Sequence, residues 1–235
     1  IFNEAVNPFG LTDEKNYYFP DAKNSIINTE LSEPGRDELI FTLEHETGDD
    51  KELFIFQENL LDCNGNSDLF NDTIIYGVPE KAEFTDIIIT EVLISPFTGC
   101  PEFVEIFNNS EKLISLNELF LSVSRSAAFS FGENISGRDL FIFPGQYKVL
   151  TPAPEQLANF YINCERKNFY EFPEFPGLPD DGANVSIYNR SGILIDHMTY
   201  HPKQHFPMLE DIHGVSLERI NISREQGSNS DWHSA

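Results

Sequence analysis

Ten short runs of alternating or β-branched and aromatic residues, each closed by a turn signal, constrain this chain more than any other feature. They are "LIFTLEH" (39–45), "ELFIFQ" (52–57), "DIIITEVLI" (86–94), "FVEIFNN" (103–109), "LFLSVS" (119–124), "LFIF" (140–143), "QYKVLT" (146–151), "NVSIYN" (184–189), "ILIDHMTY" (193–200) and "VSLERI" (215–220). Alternation puts every second side chain on one face, so each run reads as a half-buried strand. "TGDD" (47–50), "FPGQ" (143–146) and "NRSG" (189–192) read as hairpin turns between flanking runs. Only "APEQLANFY" (153–161) predicts a helix, with Pro154 in its first turn and Leu157 and Tyr161 on one face. Many short strands with Gly, Pro and Asn punctuation predict an all-β sandwich or barrel.

Composition supplies the core and limits the partners. With 40% hydrophobic residues, 21 Phe and 8 Tyr among 235 residues, the chain has enough apolar surface to pack one large or two small domains. The net charge of −24 disfavours nucleic acid and anionic membrane surfaces, both of which need Lys and Arg partners. No run reaches the roughly 20 apolar residues of a membrane span. Cys63, Cys100 and Cys164 form no CxxC pair. They suit either one disulfide plus a thiol or three unpaired cysteines packing as small hydrophobes. The first residue is Ile, as expected of a processed or excised fragment. "GVPEKAEFT" (77–85) marks a boundary, giving a β segment at 1–80, a linker at 81–85 and a larger β domain at 86–235.

Five blocks in the second part carry a family resemblance. "DIIITEVLISP" looks like an opening strand and its Pro-containing turn, and "EFVEIFNNSEKLISLNELFLS" like a Glu-aromatic block with a Leu-rich strand. "LFIFPGQYKVLT" looks like a Pro-Gly hairpin, "GLPDDGANVSIYNRSGILIDHMTY" like paired strands with a Gly turn, and "GVSLERI" with "DWHSA" like the closing strand and Trp segment. In this order they resemble the lamin tail domain family, bacterial type, from Asp86 to Ala235. In the first part, "LDCNGN" resembles the turn that closes a bacterial Ig-like domain, making residues 1–80 a partial domain of that kind.

The resemblance implies an immunoglobulin-like β-sandwich without conserved catalytic chemistry. It also implies an exported, extracytoplasmic bacterial surface protein with Bacteroidetes-like habits, in which such domains are accessory modules. The function expected is therefore a non-catalytic binding or scaffolding module for protein or glycan contact or domain spacing, with no membrane insertion. The alternative is an accessory domain of a larger secreted nuclease or phosphatase whose active site lies elsewhere. Within the matching blocks, Phe103, Ile106 and Phe107 alternate imperfectly with Glu102 and Glu105, which predicts a bulge or a sheet edge. Val215, Leu217 and Arg219 share one face and Ser216, Glu218 and Ile220 the other, with Arg219 expected to pair with Glu105 or Glu218 and Trp232 to cover an end of the core.

Four motifs carry candidate chemistry. In "DCNGNSD", Asp62, Asn64, Asn66 and Asp68 stand at alternate positions, the spacing of calcium ligands in a loop. Ser67 replaces the sharp-turn Gly and Thr73 the bidentate Glu, so an Asn-Gly turn is the better reading and no cofactor is expected, with calcium held by this loop as the alternative. His197, His201 and His205 recur every fourth residue, but Pro202 breaks a helix there, leaving His197 and His201 as a conceivable two-His surface site without a third ligand. The acidic run "EHETGDDKE" (44–52) reads as a solvated hairpin tip, and Asp180-Asp181 as a turn into the next strand rather than an acid/base pair. Asn-x-Ser/Thr occurs at Asn71, Asn108, Asn134, Asn184, Asn189 and Asn221, and "DTI" (72–74) resembles an O-glycosylation acceptor. No nucleophile elbow, phosphate loop or dinucleotide fingerprint is present, and no catalytic residue is assigned.

Overall fold

The computed structural model describes residues 12–19, 24–31, 39–46, 53–57, 72–126, 132–137, 140–221 and 231–235, with backbone alone at 31, 53–57 and 72–76. The chain divides into two compact units, Ile1–Val78 and Pro79–Ala235.

The first unit holds β1 (Tyr17–Tyr18), β2 (Ile26–Leu31), β3 (Leu39–Leu43), β4 (Leu53–Gln57) and β5 (Asp72–Tyr76). β2 pairs with β3, while β4 lies between β1 and β5. β3 and β4 therefore sit in different sheets and do not form the hairpin expected around 47–50, residues that themselves lie outside the described ones. Tyr17 and Phe19 form a small core with Ile26, Leu39, Phe41 and Leu43. The Tyr17 and Phe41 rings meet edge-on at 4.8 Å, a favoured aromatic geometry.

The second unit is an all-β, immunoglobulin-like sandwich. One sheet contains β6 (Ile87–Leu93), β7 (Phe103–Asn108), β12 (Tyr147–Thr151), β13 (Phe169–Glu171), β16 (Leu217–Arg219) and β17 (Trp232–Ser234), in the order β13-β12-β7-β6-β16-β17. The other contains β9 (Leu119–Ser124), β10 (Glu133–Asn134), β14 (Ala183–Asn189) and β15 (Leu194–Tyr200), in the order β10-β9-β14-β15. β8 (Ile114–Ser115) and β11 (Phe141–Ile142) form a two-stranded pair of their own. β11 and β12 thus flank a tight turn at 143–146 without pairing to each other, contrary to the hairpin expected there. The turn at 189–192 does join a hairpin, β14 to β15, closed by Gly192 N–H donating to Asn189 O. Gly192 takes φ +75° there, a conformation open to glycine.

The core is built by alternation. Ile87, Ile89, Val92, Val104, Ile106, Leu150 and Leu217 of the larger sheet meet Leu119, Leu121, Val185, Ile187, Ile195 and Met198 of the smaller. The hydrophobic effect supplies about 1.5–3 kcal/mol for each such aliphatic side chain buried. β7 is a central strand that alternates regularly, so neither bulge nor edge lies in it. The irregularity falls on its neighbour: Thr90 of β6 is the extra residue between the Ile89–Ile106 and Glu91–Glu105 pairs. Helix α1 (Pro154–Phe160) covers the outer face of the larger sheet, packing Leu157 with Leu93, Cys100, Phe103 and Val149 and joined by Tyr161.

Residues 81–85, expected as a linker, are laced onto the sandwich. Ala82 is buried in the core, its carbonyl accepts from Asn189 Nδ2 at 3.0 Å, and Thr85 N–H donates to Ile195 O. Two of the Asn-x-Ser sites are structural locks. Asn108 is fully buried: Nδ2 donates to Lys112 O and Ile142 O, and Oδ1 accepts from the Ser110 backbone and hydroxyl. Asn189 repeats the device, its Oδ1 accepting from Ser191 N–H and Ile193 N–H.

The two sheets are also joined by one buried ion pair. Arg219 Nη1 of β16 lies 2.9 Å from Asp196 Oδ2 of β15, with side-chain exposures of 4% and 2%. Glu105 and Glu218, the expected partners of Arg219, point to the opposite face, because Leu217 and Arg219 face inward and Glu218 outward. Replacing Arg219 alone with Met strands a buried carboxylate and is expected to cost roughly 3–5 kcal/mol. Arg219→Met combined with Asp196→Leu should recover much of that loss. Urea denaturation of the single and double variants measures both, and an additive double variant would show that the pair is not coupled.

Candidate functional site

A cavity of about 720 Å³ opens at one end of the smaller sheet, lined by Arg125 just past β9, the start of β14 with the two residues before it, the end of β15 and the turn after β15. Its shape follows from local rules. At 182 the chain bends with φ +113°, and a Cβ there would stand 2.9 Å from Tyr200 O, so glycine is needed. His201 caps the short 3₁₀ turn Pro202–Gln204: its Nδ1 accepts from Lys203 N–H at 3.1 Å while its own N–H donates to Gln204 Oε1 at 2.6 Å. Gln204 Nε2 reaches back to Thr199 O. Thr199 Oγ1 donates to Asn184 Oδ1, and Asn184 Nδ2 donates to Ser124 O and Ser126 O. The wall is therefore hydrogen-bonded to itself across three strands.

Charge enters at the rim. Arg125 Nε and Nη2 both donate to Asp181 Oδ1, at 3.1 and 2.9 Å. This guanidinium holds the Asp181 carboxyl below the usual carboxylate range, the opposite of the raised value a general acid needs. His205 is 4% exposed, with Nδ1 3.1 Å from Ser234 Oγ and no partner at Nε2 among the described residues. Burial pushes its pKa down.

The structure separates the histidines that the sequence had spaced evenly. His201 and His205 line the cavity, whereas His197 sits in the middle of β15 opposite Ser186 and does not. His201 Nδ1 accepts from the Lys203 backbone N–H, which leaves Nε2 as the ring nitrogen outside that bond. Among the described residues no three His, Cys, Asp or Glu side chains are grouped to hold a metal ion. Asp62, Asn64, Asn66 and Asp68, with Cys63, Asn71 and most of the acidic run 44–52, lie outside the described residues, and Thr73 is described by backbone alone. Cys100 is a buried free thiol and Cys164 an exposed one. Sequence reasoning missed Arg125, Thr199, Lys203 and Gln204, which carry no spacing signal and meet only when β9, β14 and β15 pair.

The family model of the lamin tail domain matches residues 80–202. The chain belongs to the lamin tail domain family. No curated protein gives a match. The matched span carries most of the cavity wall, while β16 and β17, with Arg219 and Trp232, complete this lamin tail domain beyond it. Among the described residues, no helix is long and apolar enough to cross a membrane.

The outer face of the larger sheet holds a second polar group. Strand register sets Glu91 directly opposite both Glu105 on β7 and Glu218 on β16, a row of three carboxylates across adjacent strands. Like charges so placed repel. Burial, and then repulsion from Glu105 and Glu218, pushes the Glu91 carboxyl up to about 7, against a hydrogen bond from Ser216 that lowers it. Burial also raises Glu105, against the Thr90 hydroxyl bond at 2.7 Å. A carboxyl whose folded value lies above its unfolded one keeps in the folded chain a proton that the unfolded chain has lost. Stability should accordingly fall as pH rises from about 4.5 to about 7, and level off above that window for this group. Glu91→Gln is expected to flatten the fall and to be the more stable protein at alkaline pH. Urea midpoints across this range measure it, and an unchanged slope in the variant would refute the assignment.

Proposed function

We propose that this lamin tail domain chain is a non-catalytic contact and spacing module of an exported bacterial surface protein, with a protein or glycan as its partner. The observation that carries the reading is how the cavity uses its polar groups. Nucleophilic catalysis needs a hydroxyl or thiol within reach of a base that can take its proton. Here the Thr199 hydroxyl donates to the amide oxygen of Asn184, a group that does not accept a proton near neutrality. The accepting nitrogen of His201 is occupied by a backbone N–H, and Asp181 is held by Arg125. Fixed donors and acceptors on paired strands are the chemistry of recognition, as in small-molecule sites where a few placed polar groups set orientation. The family's immunoglobulin-like fold supports the same reading, and the net charge of −24 speaks against a phosphate-backbone partner.

Two measurements test it. Protease shaving of intact cells producing the full-length protein is expected to release peptides from this chain. The purified chain is expected to leave plasmid DNA and p-nitrophenyl phosphate unchanged. Peptides recovered from the cytosolic fraction alone would overturn the surface placement, and turnover abolished by Thr199→Val or His201→Gln would overturn the non-catalytic reading.

A further inference from the structure

Counting which groups in the cavity still lack a partner leaves mainly donors. Arg125 spends Nε and Nη2 on one oxygen of Asp181, leaving Nη1 without a hydrogen bond among the described residues. The exposed Lys203 ammonium has no ion pair among them either. A neutral imidazole carries its one proton on the nitrogen that does not accept, so His201, accepting at Nδ1, presents Nε2–H as a third donor. Most acceptors are spent, with Gln204 Oε1 on His201 N–H, Asn184 Oδ1 on Thr199 and Asp181 Oδ1 on Arg125, while Asp181 Oδ2 stays open to solvent. Asp180 stands beside Asp181 but outside the lining. Among the lining side chains alone, Arg125 and Lys203 against Asp181 leave an excess of one positive charge on a strongly acidic chain.

From this donor excess we propose that the cavity is a subsite for the carboxylate of a small polar ligand, held by Lys203, Arg125 Nη1 and His201 Nε2–H. The proposal deepens the binding reading above and rests on it. A neutral ligand would leave the Lys203 charge unmatched. A phosphate dianion would exceed the single local charge and meet stronger repulsion from the rest of the chain. A monoanion fits both constraints. The cavity's about 720 Å³ lies within the roughly 300–1,000 Å³ of small-molecule sites. Exposed Pro207 offers apolar wall for the body of the ligand.

Amide chemical-shift titration of the whole chain tests this with matched probes. Sodium glucuronate is compared with methyl glucoside, and acetyl-diglycine with its terminal amide, all at millimolar concentration. The carboxylates are expected to shift amides of residues 199–207 and the neutral partners to leave them in place. Lys203→Ala, an exposed substitution whose folding thermal unfolding verifies, should weaken binding about tenfold, the weight of one charge-assisted hydrogen bond. Response to glucuronate alone assigns the carboxylate to a sugar acid, and response to acetyl-diglycine alone assigns it to a peptide terminus. Equal response to neutral and acidic probes, no response to either acid, or full affinity in Lys203→Ala would each overturn the subsite. A chain shed by surface proteolysis yet silent to every carboxylate would overturn the subsite alone and leave the module reading in place.

Discussion

The contact between Asp196 and Arg219 is where the two sheets of the sandwich become one object. Glu91–Glu218 is the last registered pair between β6 and β16, so the backbone of Ile89 lies past the end of that ladder. Its N–H donates to Asp196 Oδ2 at 2.8 Å, and its C=O accepts from Arg219 Nη1 at 3.4 Å. The pair thus satisfies two backbone groups that burial would otherwise orphan. Burial alone would drive the Asp196 carboxyl towards its neutral form, and the Arg219 charge and the Ile89 bond work against that. A buried ion pair adds little net stability over an apolar pair of the same shape. What it does here is tie β15 of one sheet to β6 and β16 of the other through two charges and two backbone groups.

The ends of the strands are held by a different device. Asn108 and Asn189 each close a strand, and each turns its side-chain amide into a substitute for backbone partners across the turn. Their neighbours Ser110 and Ser191 complete the turns, so the same tripeptide that can accept a glycan serves as a corner lock. Full burial of Asn108 and near-full burial of Asn189 close both to modification in the folded chain. The Asn189 corner bears on the cavity, because it joins β14 to β15, whose pairing sets Asn184 beside Thr199.

Much of the strand content was legible because burial on one face imposes a period of two. Helix α1 was legible for the same kind of reason, with Leu157 and Tyr161 packing on one cluster. Pairing was less legible. "TGDD" and "FPGQ" have turn chemistry, yet β3 and β4, like β11 and β12, part into different sheets. A turn signal fixes local backbone direction, whereas partner choice is settled by which faces a strand can bury. "FVEIFNN" predicts a bulge or a sheet edge, whereas β7 is a central strand and the extra residue, Thr90, lies in its neighbour β6.

By itself the sequence determined an all-β chain, a second unit of lamin tail type, and a net charge of −24. Each of these is a property of periodicity, block order or composition, which are written along one dimension. Only the tertiary structure decided that Arg219 meets Asp196 instead of Glu105 or Glu218, that three glutamates align across β7, β6 and β16, and that Arg125, His201 and Lys203 share a cavity. Most of these pairings join residues distant in the sequence. They follow from strand register and from the free-energy cost of leaving a buried polar group without a partner.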